Sequence, residues 1–179
     1  LPHPMVEFKA SLAKAFEYAK VLGVGQLNCL AGKAPTGLSQ ELLRATLIAN
    51  LRYAAVELKK VNIKLLIEPI NSRIDMPGYW LDDVDKGFRL LRGVDRDNVK
   101  LQYDIYHAQI IAGDLARTLE ANLPQIGHIQ IADNPGRHEP GTGEINYPFL
   151  FDLLDRLGYT GWLGCEYKPM GLTEAGLDW

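Results

Sequence analysis

Apolar and polar positions follow one another along this chain in the order expected of alternating strands and helices. Five short runs have the apolar character of strands: QLNCLAG, KLLIEPI, VKLQYDI, HIQIAD and WLGCEY. The longer segments between them repeat apolar residues every three or four positions, which is the spacing of helices with one buried face. Strands that alternate with helices predict right-handed crossovers and a parallel sheet.

The helix boundaries carry sequence signals of their own. Residues 6 to 22 have apolar residues at helical spacing, and Gly23 follows at the expected C-terminal stop. The later helices are expected to begin at capping side chains. These are Ser39, Asp82 or Asp83, about Asp114 for a short helix that ends near Asn122, and Asn146.

The number of strands determines the predicted fold. A closed (β/α)8 barrel typically needs about 250 residues, whereas this sequence has 179 residues, five strand-like runs and a helix at its start. We expect a single TIM-barrel domain over residues 1–179 that carries the last five βα units, with the N-terminal three units missing from this sequence. An open, doubly wound five-stranded sheet is the alternative, although such sheets bind ligands at one switch point.

Four of the five runs place an oxygen-bearing side chain at their C-terminal end. These side chains are Glu68, Asp104, Gln130 and Glu166, which lie 36, 26 and 36 residues apart. In a parallel barrel such positions share one rim, where the active site is built. Three carboxylates and one amide are ligands for a hard divalent cation, so Mg²⁺ or Mn²⁺ is expected, and cobalt and nickel remain alternatives.

Glu68 and Glu166 lie on strands that are expected to face one another across the mouth of the barrel. This placement permits proton transfer on either side of a bound substrate, while the metal polarises a carbonyl and stabilises an ene-diolate. The pattern therefore favours an isomerase. It leaves open which glutamate is the base and which is the acid.

Composition and charge narrow the expected partners and location. The net charge is -3, with no Lys/Arg cluster, so no nucleic-acid partner is expected. No apolar run approaches the roughly 20 residues that cross a bilayer, and the start LPHPMVEFKA lacks the features of a signal peptide. We therefore expect a cytoplasmic protein that binds no membrane. Cys29 and Cys165 have no CxxC partner and are expected to be buried free thiols.

Longer motifs resemble a known family. LIEPIN, QYDIYHAQI, GHIQIAD, NPGRHEPGTGEINYP and GCEYKP together resemble the hydroxypyruvate isomerases, which are xylose isomerase-like TIM barrels. The resemblance covers essentially the whole chain and implies conversion of hydroxypyruvate to 2-hydroxy-3-oxopropanoate, also called tartronate semialdehyde. It also implies that all four strand-end residues hold the metal and that Glu68 and Glu166 are the catalytic pair. Related ketose epimerases carry His where Gln130 stands, and family members often form homo-oligomers.

Substrate ligands are expected near the same strand ends. His107, expected in the loop after VKLQYDI, is a candidate donor to a substrate oxygen. Arg137, on the Gly/Pro-rich loop after Gln130, is a candidate partner for a substrate carboxylate. The resemblance favours both roles. Other candidates are weaker: Arg73 and Lys168 as alternative carboxylate partners, His128 as a substrate contact or a satisfied core histidine, Asn28 as a partner of a neighbour, His138 and Glu139 as loop-tip residues, and His3 as part of a terminal tail.

Three other functions remain open on the sequence alone. A 2-oxo-tetronate isomerase would use the same site for a substrate one carbon longer. An endonuclease IV-like hydrolase shares the barrel, but it needs about three metals and several histidines, and only His107 and His128 are expected near this mouth. A non-catalytic fragment or sugar-acid-binding protein is the third possibility, because the first three strands are not in this sequence.

Overall fold

The computed structural model describes residues 5–179, so His3 lies outside the described part of the chain. The strands are β1 (Gln26–Asn28), β2 (Lys64–Ile67), β3 (Val99–Asp104), β4 (Ile126–Ile131) and β5 (Leu163–Cys165). The α-helices are α1 (Met5–Leu22), α2 (Gln40–Lys59), α3 (Val84–Val94), α4 (Ile105–Ile111), α5 (Leu115–Asn122) and α6 (Tyr147–Arg156). None of the helices in residues 5–179 is both long enough and apolar enough to cross a membrane.

The strands form one parallel sheet in the order β1-β2-β3-β4-β5, so each pairs with the next along the chain. A doubly wound sheet reverses its strand order at a switch point, and this sheet has no reversal, which excludes that alternative. Ligand atoms of Glu68 and Glu166 lie within 4.8 Å of each other. A flat sheet would hold β2 and β5 about 14 Å apart. The sheet therefore curls into half of a barrel, and the predicted fold class is confirmed.

The apolar core lies between the outer face of this sheet and the helices. The apolar stripe of α2 is buried against it: Leu43, Leu47, Leu51, Ala54, Ala55 and Leu58 are each at most 3% exposed. Leu65, Leu101 and Ile129 enter the same core from successive strands. Because neighbouring residues of a strand point to opposite faces, the alternate positions are left for the barrel interior, where the polar strand-end residues lie.

Most of the predicted helix starts are confirmed by capping hydrogen bonds. Ser39 Oγ accepts from Leu42 N, Asp83 Oδ1 from Lys86 N, and Asn146 Oδ1 from Phe149 N. The prediction that His107 lies in a loop is wrong, because it lies in the first turn of α4. Asp104 both ends β3 and caps α4, so no loop separates the two elements.

A β-bulge in β4 controls which side chains enter the barrel interior. Leu101 pairs with Ile126, whereas Gln102 pairs with His128, so Gly127 is an extra residue between two pairs. A bulge of this kind re-aims the side chains that follow it. It brings His128 and Gln130 into register with Gln102 and Asp104 of β3. The bulge therefore helps to position the strand-end residues.

The two cysteines lie near opposite ends of the sheet. Cys29 is half-buried, and burial raises the pKa of its thiol to about 11. Cys165 is exposed, so the expectation that it is buried is wrong. Cys165 belongs to β5, the last strand of the sheet, which has a strand neighbour on one side only among residues 5–179.

Substitution of Gly127 by Ala is expected to destabilise the fold by about 1–3 kcal/mol, the usual cost of an overpacked methyl group. A Cβ atom at this position would lie 2.7 Å from Leu66 Cδ2 and 2.8 Å from Lys100 Cβ. Urea unfolding measures the effect. Gly25→Ala is the matched control, because a Cβ there meets no atom within 4 Å. Equal stability of the two variants would contradict the close packing of Gly127 against Leu66 and Lys100.

Candidate active site

Three carboxylates and one imidazole converge at the carboxyl ends of the strands. One ligand atom from each of Glu68, Asp104, His107 and Glu166 lies within 4.8 Å of the others. The first three residues are buried, whereas the Glu166 side chain is 51% exposed. Glu166 directly follows β5, the last strand of the sheet, which accounts for its exposure. The three carboxylates singled out by the sequence pattern thus share one site.

Gln130 is oriented toward this site by Gln102, a residue that the sequence analysis did not single out. Gln102 Nε2 donates to Glu68 Oε2 at 2.9 Å and to Gln130 Oε1 at 2.7 Å. An ionised carboxylate only accepts hydrogen bonds, so the Gln102 atom that faces the charged form of Glu68 must be nitrogen. The Gln130 atom that faces the same nitrogen must then be oxygen. An amide oxygen has two lone pairs, and the second remains for another partner.

Glu68 is held by neutral amides in a buried position. Asn28 Nδ2 donates to its Oε2 at 2.6 Å, next to the bond from Gln102, so Asn28 satisfies a neighbour as expected. Burial raises the pKa of Glu68 to about 7, and the nearby Asp104 carboxylate contributes to the rise. The two amides fix the orientation of the carboxylate without supplying a positive charge.

Asp104 has one oxygen that is ready for a further partner. Its Oδ1 accepts the backbone N–H of His107 at 3.1 Å, whereas its buried Oδ2 has no hydrogen-bond partner among the described residues. Burial raises the pKa of Asp104 to about 6. A buried carboxylate oxygen without a donor is costly unless a cation binds it. The residues therefore fit a hard divalent cation held by oxygen ligands.

Arg137 lies at the same mouth and contacts two carboxylates. Its Nη2 donates to Glu166 Oε2 at 2.8 Å and its Nη1 to Asp75 Oδ1 at 3.1 Å. Its guanidinium lies 5.1 Å from the ring centre of Tyr106, whose hydroxyl donates to Asp75 Oδ2. Asp75 and Tyr106 carried no signal in the sequence that set them apart from ordinary loop and helix residues.

The loop that carries Arg137 is organised around one buried carboxylate. Asp133 Oδ1 accepts the backbone N–H groups of Asn134 and Ile145, and its Oδ2 accepts that of Gly141. Asp133 is 1% exposed. Because these bonds join both ends of the loop to one side chain, the segment has a defined fold despite its glycines and prolines.

His128 and Arg73 are two of the weaker candidates for substrate contact, and their surroundings differ. His128 is half-buried below Gln130, and burial lowers its pKa. A Cβ on Gly164 would come within 2.7 Å of His128 Nε2, so this glycine makes room for the ring. Arg73 is exposed and donates to the backbone oxygen of Ile110, which belongs to α4.

Lys168, an alternative carboxylate partner, and the two residues expected at the loop tip, His138 and Glu139, have different surroundings. The side chain of exposed Lys168 contacts no candidate ligand through any described hydrogen bond, while its backbone N–H donates to Arg137 O at 2.7 Å. His138 Nδ1 bonds to Lys168 O. Glu139 is only 6% exposed and accepts from Met170 N, so its predicted place at an exposed loop tip is wrong. The segment after β5 covers it, a contact that depends on the folded chain.

Comparison with known proteins agrees with this architecture. Residues 2–179 match the model of the family described as Xylose isomerase-like TIM barrel. The chain is 51% identical over 179 residues to the hydroxypyruvate isomerase of Escherichia coli (strain K12) and covers 69% of that protein. It is 46% identical over 179 residues to the 2-oxo-tetronate isomerase of Cupriavidus necator and covers 68% of it. Both alignments include 100% of this chain.

A solved structure extends the comparison to three dimensions. The crystal structure of a protein named AP endonuclease, family 2, from Brucella melitensis superposes with a TM-score of 0.96 at 43% identity, covering 100% of this chain and 69% of that one. The expected resemblance to hydroxypyruvate isomerases is confirmed by the curated relatives. The chain belongs to the xylose isomerase-like TIM barrel family.

Proposed function

We propose that this protein is a divalent-metal-dependent isomerase that interconverts hydroxypyruvate and 2-hydroxy-3-oxopropanoate. The observation that carries the proposal is the convergence of Glu68, Asp104 and Glu166 at one mouth, beside the Arg137 guanidinium. Carboxylates suit both cation binding and proton transfer, and a guanidinium suits an acidic substrate. The 51% identity to a protein named hydroxypyruvate isomerase supports the same substrate.

Glu68, Asp104, Gln130 and Glu166 would hold the cation, with Mg²⁺ or Mn²⁺ as the ions that best suit four oxygen ligands. When bound, the metal would polarise the substrate carbonyl and stabilise negative charge on its oxygen. Asp104 contributes a buried oxygen with no hydrogen-bond partner among the described residues. Gln130 contributes the free lone pair of an oxygen whose orientation Gln102 fixes.

Glu68 and Glu166 would carry the proton transfer. One glutamate removes a proton from the CH2OH carbon of hydroxypyruvate, which gives an ene-diolate, and the other delivers a proton to the neighbouring carbon, while the hydroxyl proton of the first carbon passes to the oxygen of its neighbour. The two carboxylates present oxygens within 4.8 Å of each other, a distance that permits both to reach a small substrate. Asn28 and Gln102 hold Glu68, and Arg137 holds Glu166, so each carboxylate has a fixed orientation.

Arg137 would bind the carboxylate of the substrate. Its planar guanidinium matches a carboxylate with two parallel hydrogen bonds, which distinguishes an oxo acid from a neutral sugar. Asp75 accepts from the guanidinium and the Tyr106 ring lies against it, so both residues hold it at the mouth. His107 would donate to a substrate oxygen. His128, Arg73 and Lys168 stay secondary candidates for substrate contact.

A 2-oxo-tetronate isomerase is the second candidate function, favoured by the 46% identity to a relative of that name. Both substrates are small oxo acids and would use the same carboxylates and the same arginine. A nuclease activity, suggested by the name of the Brucella protein, has less support from this site. Among the described residues, the acidic cluster includes one histidine, and the chain has a net charge of -3.

Assays with three substrates test the proposal directly. We expect turnover of hydroxypyruvate with a higher kcat/KM than that of 2-oxo-tetronate, loss of activity after treatment with a chelator, and recovery with Mg²⁺ or Mn²⁺. A duplex with an abasic site should stay intact. A preference for 2-oxo-tetronate would favour the second candidate, and cleavage of the abasic duplex would refute an isomerase.

Glu68→Gln and Glu166→Gln are each expected to lower kcat by about 10²–10⁴-fold, because an amide cannot exchange the proton that a carboxylate carries. Steady-state kinetics measure kcat, and circular dichroism verifies that each variant is folded. Glu144→Gln is the control, since Glu144 is exposed and bonds to Gln109 and Asn134 outside the cluster. If either variant in the cluster keeps the kcat of the unmodified protein, that glutamate is not a proton-transfer group.

Arg137→Lys is expected to raise KM for hydroxypyruvate by about tenfold or more, because lysine keeps the charge but loses the bidentate fork. Arg73→Lys is the comparison, as Arg73 is the alternative carboxylate partner and bonds to α4 instead of the cluster. We expect a smaller rise for Arg73→Lys. A larger rise in KM for the Arg73 variant would transfer the role to that residue.

A further inference from the structure

Asn71 is a fully buried amide whose orientation is fixed by its neighbours. It is 0% exposed, and its Oδ1 accepts the backbone N–H groups of Ile74 at 2.9 Å and Asp75 at 3.1 Å. A backbone N–H group can only donate, so the Asn71 atom that faces these two groups must be oxygen. The nitrogen of the amide must therefore point the other way.

The nitrogen of Asn71 determines which nitrogen of His107 carries the proton. Asn71 Nδ2 lies 2.6 Å from Asp75 Oδ2 and 2.8 Å from His107 Nδ1. An amide NH2 group has two hydrogens to donate, and its lone pair is delocalised and does not accept, so both of these neighbours must accept. A ring nitrogen that accepts carries a lone pair, and the proton of the neutral ring is then on Nε2.

His107 Nε2 faces the acidic cluster. It lies 3.9 Å from Asp104 Oδ2, which is too far for a direct hydrogen bond and leaves the N–H available to another acceptor. Neither ring nitrogen offers a free lone pair, because Asn71 uses that of Nδ1 and Nε2 is protonated. A metal ion needs such a lone pair. His107 therefore lies close to the three carboxylates without being suited to bind the same ion.

We infer that Asn71 is a positioning residue that fixes His107 as the Nε2–H tautomer, and so makes His107 a hydrogen-bond donor to the substrate instead of a ligand of the metal. The substrate side of this inference rests on the proposed function. An N–H group aimed at the oxygen on which negative charge develops stabilises an ene-diolate. Asn71 acts through His107 and through the turn at residues 71–75, and it does not need to touch the substrate.

Nuclear magnetic resonance of the metal-free protein with ¹⁵N-labelled histidine tests the tautomer. We expect the Nε2–H pattern for His107, whose signals are identified by their loss in His107→Gln. Asn71→Asp places an acceptor beside Nδ1 and should change the pattern to a proton on Nδ1. Asp75→Asn alters the same turn but leaves Asn71 in place, so this control should keep the Nε2–H pattern.

A second variant keeps the test informative if Asn71→Asp fails to fold. Asn71→Ser retains an oxygen that can accept from the turn, but its hydroxyl is too short to reach His107 Nδ1 as the amide nitrogen does, so we expect a mixture of the two tautomers. A proton on Nδ1 in the unmodified protein would overturn the inference. An unchanged Nε2–H pattern in the Asn71 variants would also overturn it.

Titration with Mn²⁺ tests whether His107 binds the metal. We expect His107→Gln to bind Mn²⁺ within about threefold of the unmodified protein, whereas Asp104→Asn weakens binding by about tenfold or more. Equal losses in the two variants would make His107 a ligand and overturn the inference. Neither the titration nor the measurement of the tautomer requires turnover. If both give the expected results but the protein does not convert hydroxypyruvate, only the proposed function is refuted.

Discussion

Repulsion between three carboxylates at one barrel mouth is the constraint on which the rest of the site depends. Two unit charges about 4 Å apart repel by roughly 4 kcal/mol at the effective dielectric of a protein surface. A neutral hydrogen bond contributes about 1 kcal/mol on balance, so amide donors alone do not offset the repulsion. The raised pKa of Glu68 reflects its burial first and the Asp104 carboxylate second, and burial is also the main cause of the raised pKa of Asp104. A divalent cation would offset both the cost of burying these carboxylates and the repulsion between them.

Neutral amides fix the geometry of the site and leave its negative charge in place. Gln102 bonds to Glu68 and Gln130, Asn28 bonds to Glu68, and Asn71 bonds to His107. Each amide orientation follows from a partner that can only accept or only donate. If a lysine or arginine held Glu68 in place of these amides, it would neutralise charge that a cation needs. Amides therefore suit a site that must be both rigid and acidic.

The fold and the acidic residues could be predicted from the sequence because both depend on short-range periodicity. Strand spacing gives the order of elements, and the end of each apolar run marks a residue on the common rim. The site roles of Asn71, Asp75 and Tyr106 could not be predicted, because their contacts join segments that are distant along the chain. Their positions depend on the fold of the turn after β2 and on the start of α4. The burial of Glu139 has the same kind of cause.

Charge balance explains why an arginine belongs beside this set of acids. With Glu68, Asp104, Glu166 and Asp75 all ionised, Arg137 leaves the mouth with three excess negative charges, which would repel the carboxylate of an oxo acid. A divalent cation would cancel two of these charges, so the anionic substrate would meet a site with much weaker repulsion. A neutral sugar would not need this balance. The presence of Arg137 beside Glu166 thus favours an acidic substrate, which the carboxylates alone would repel.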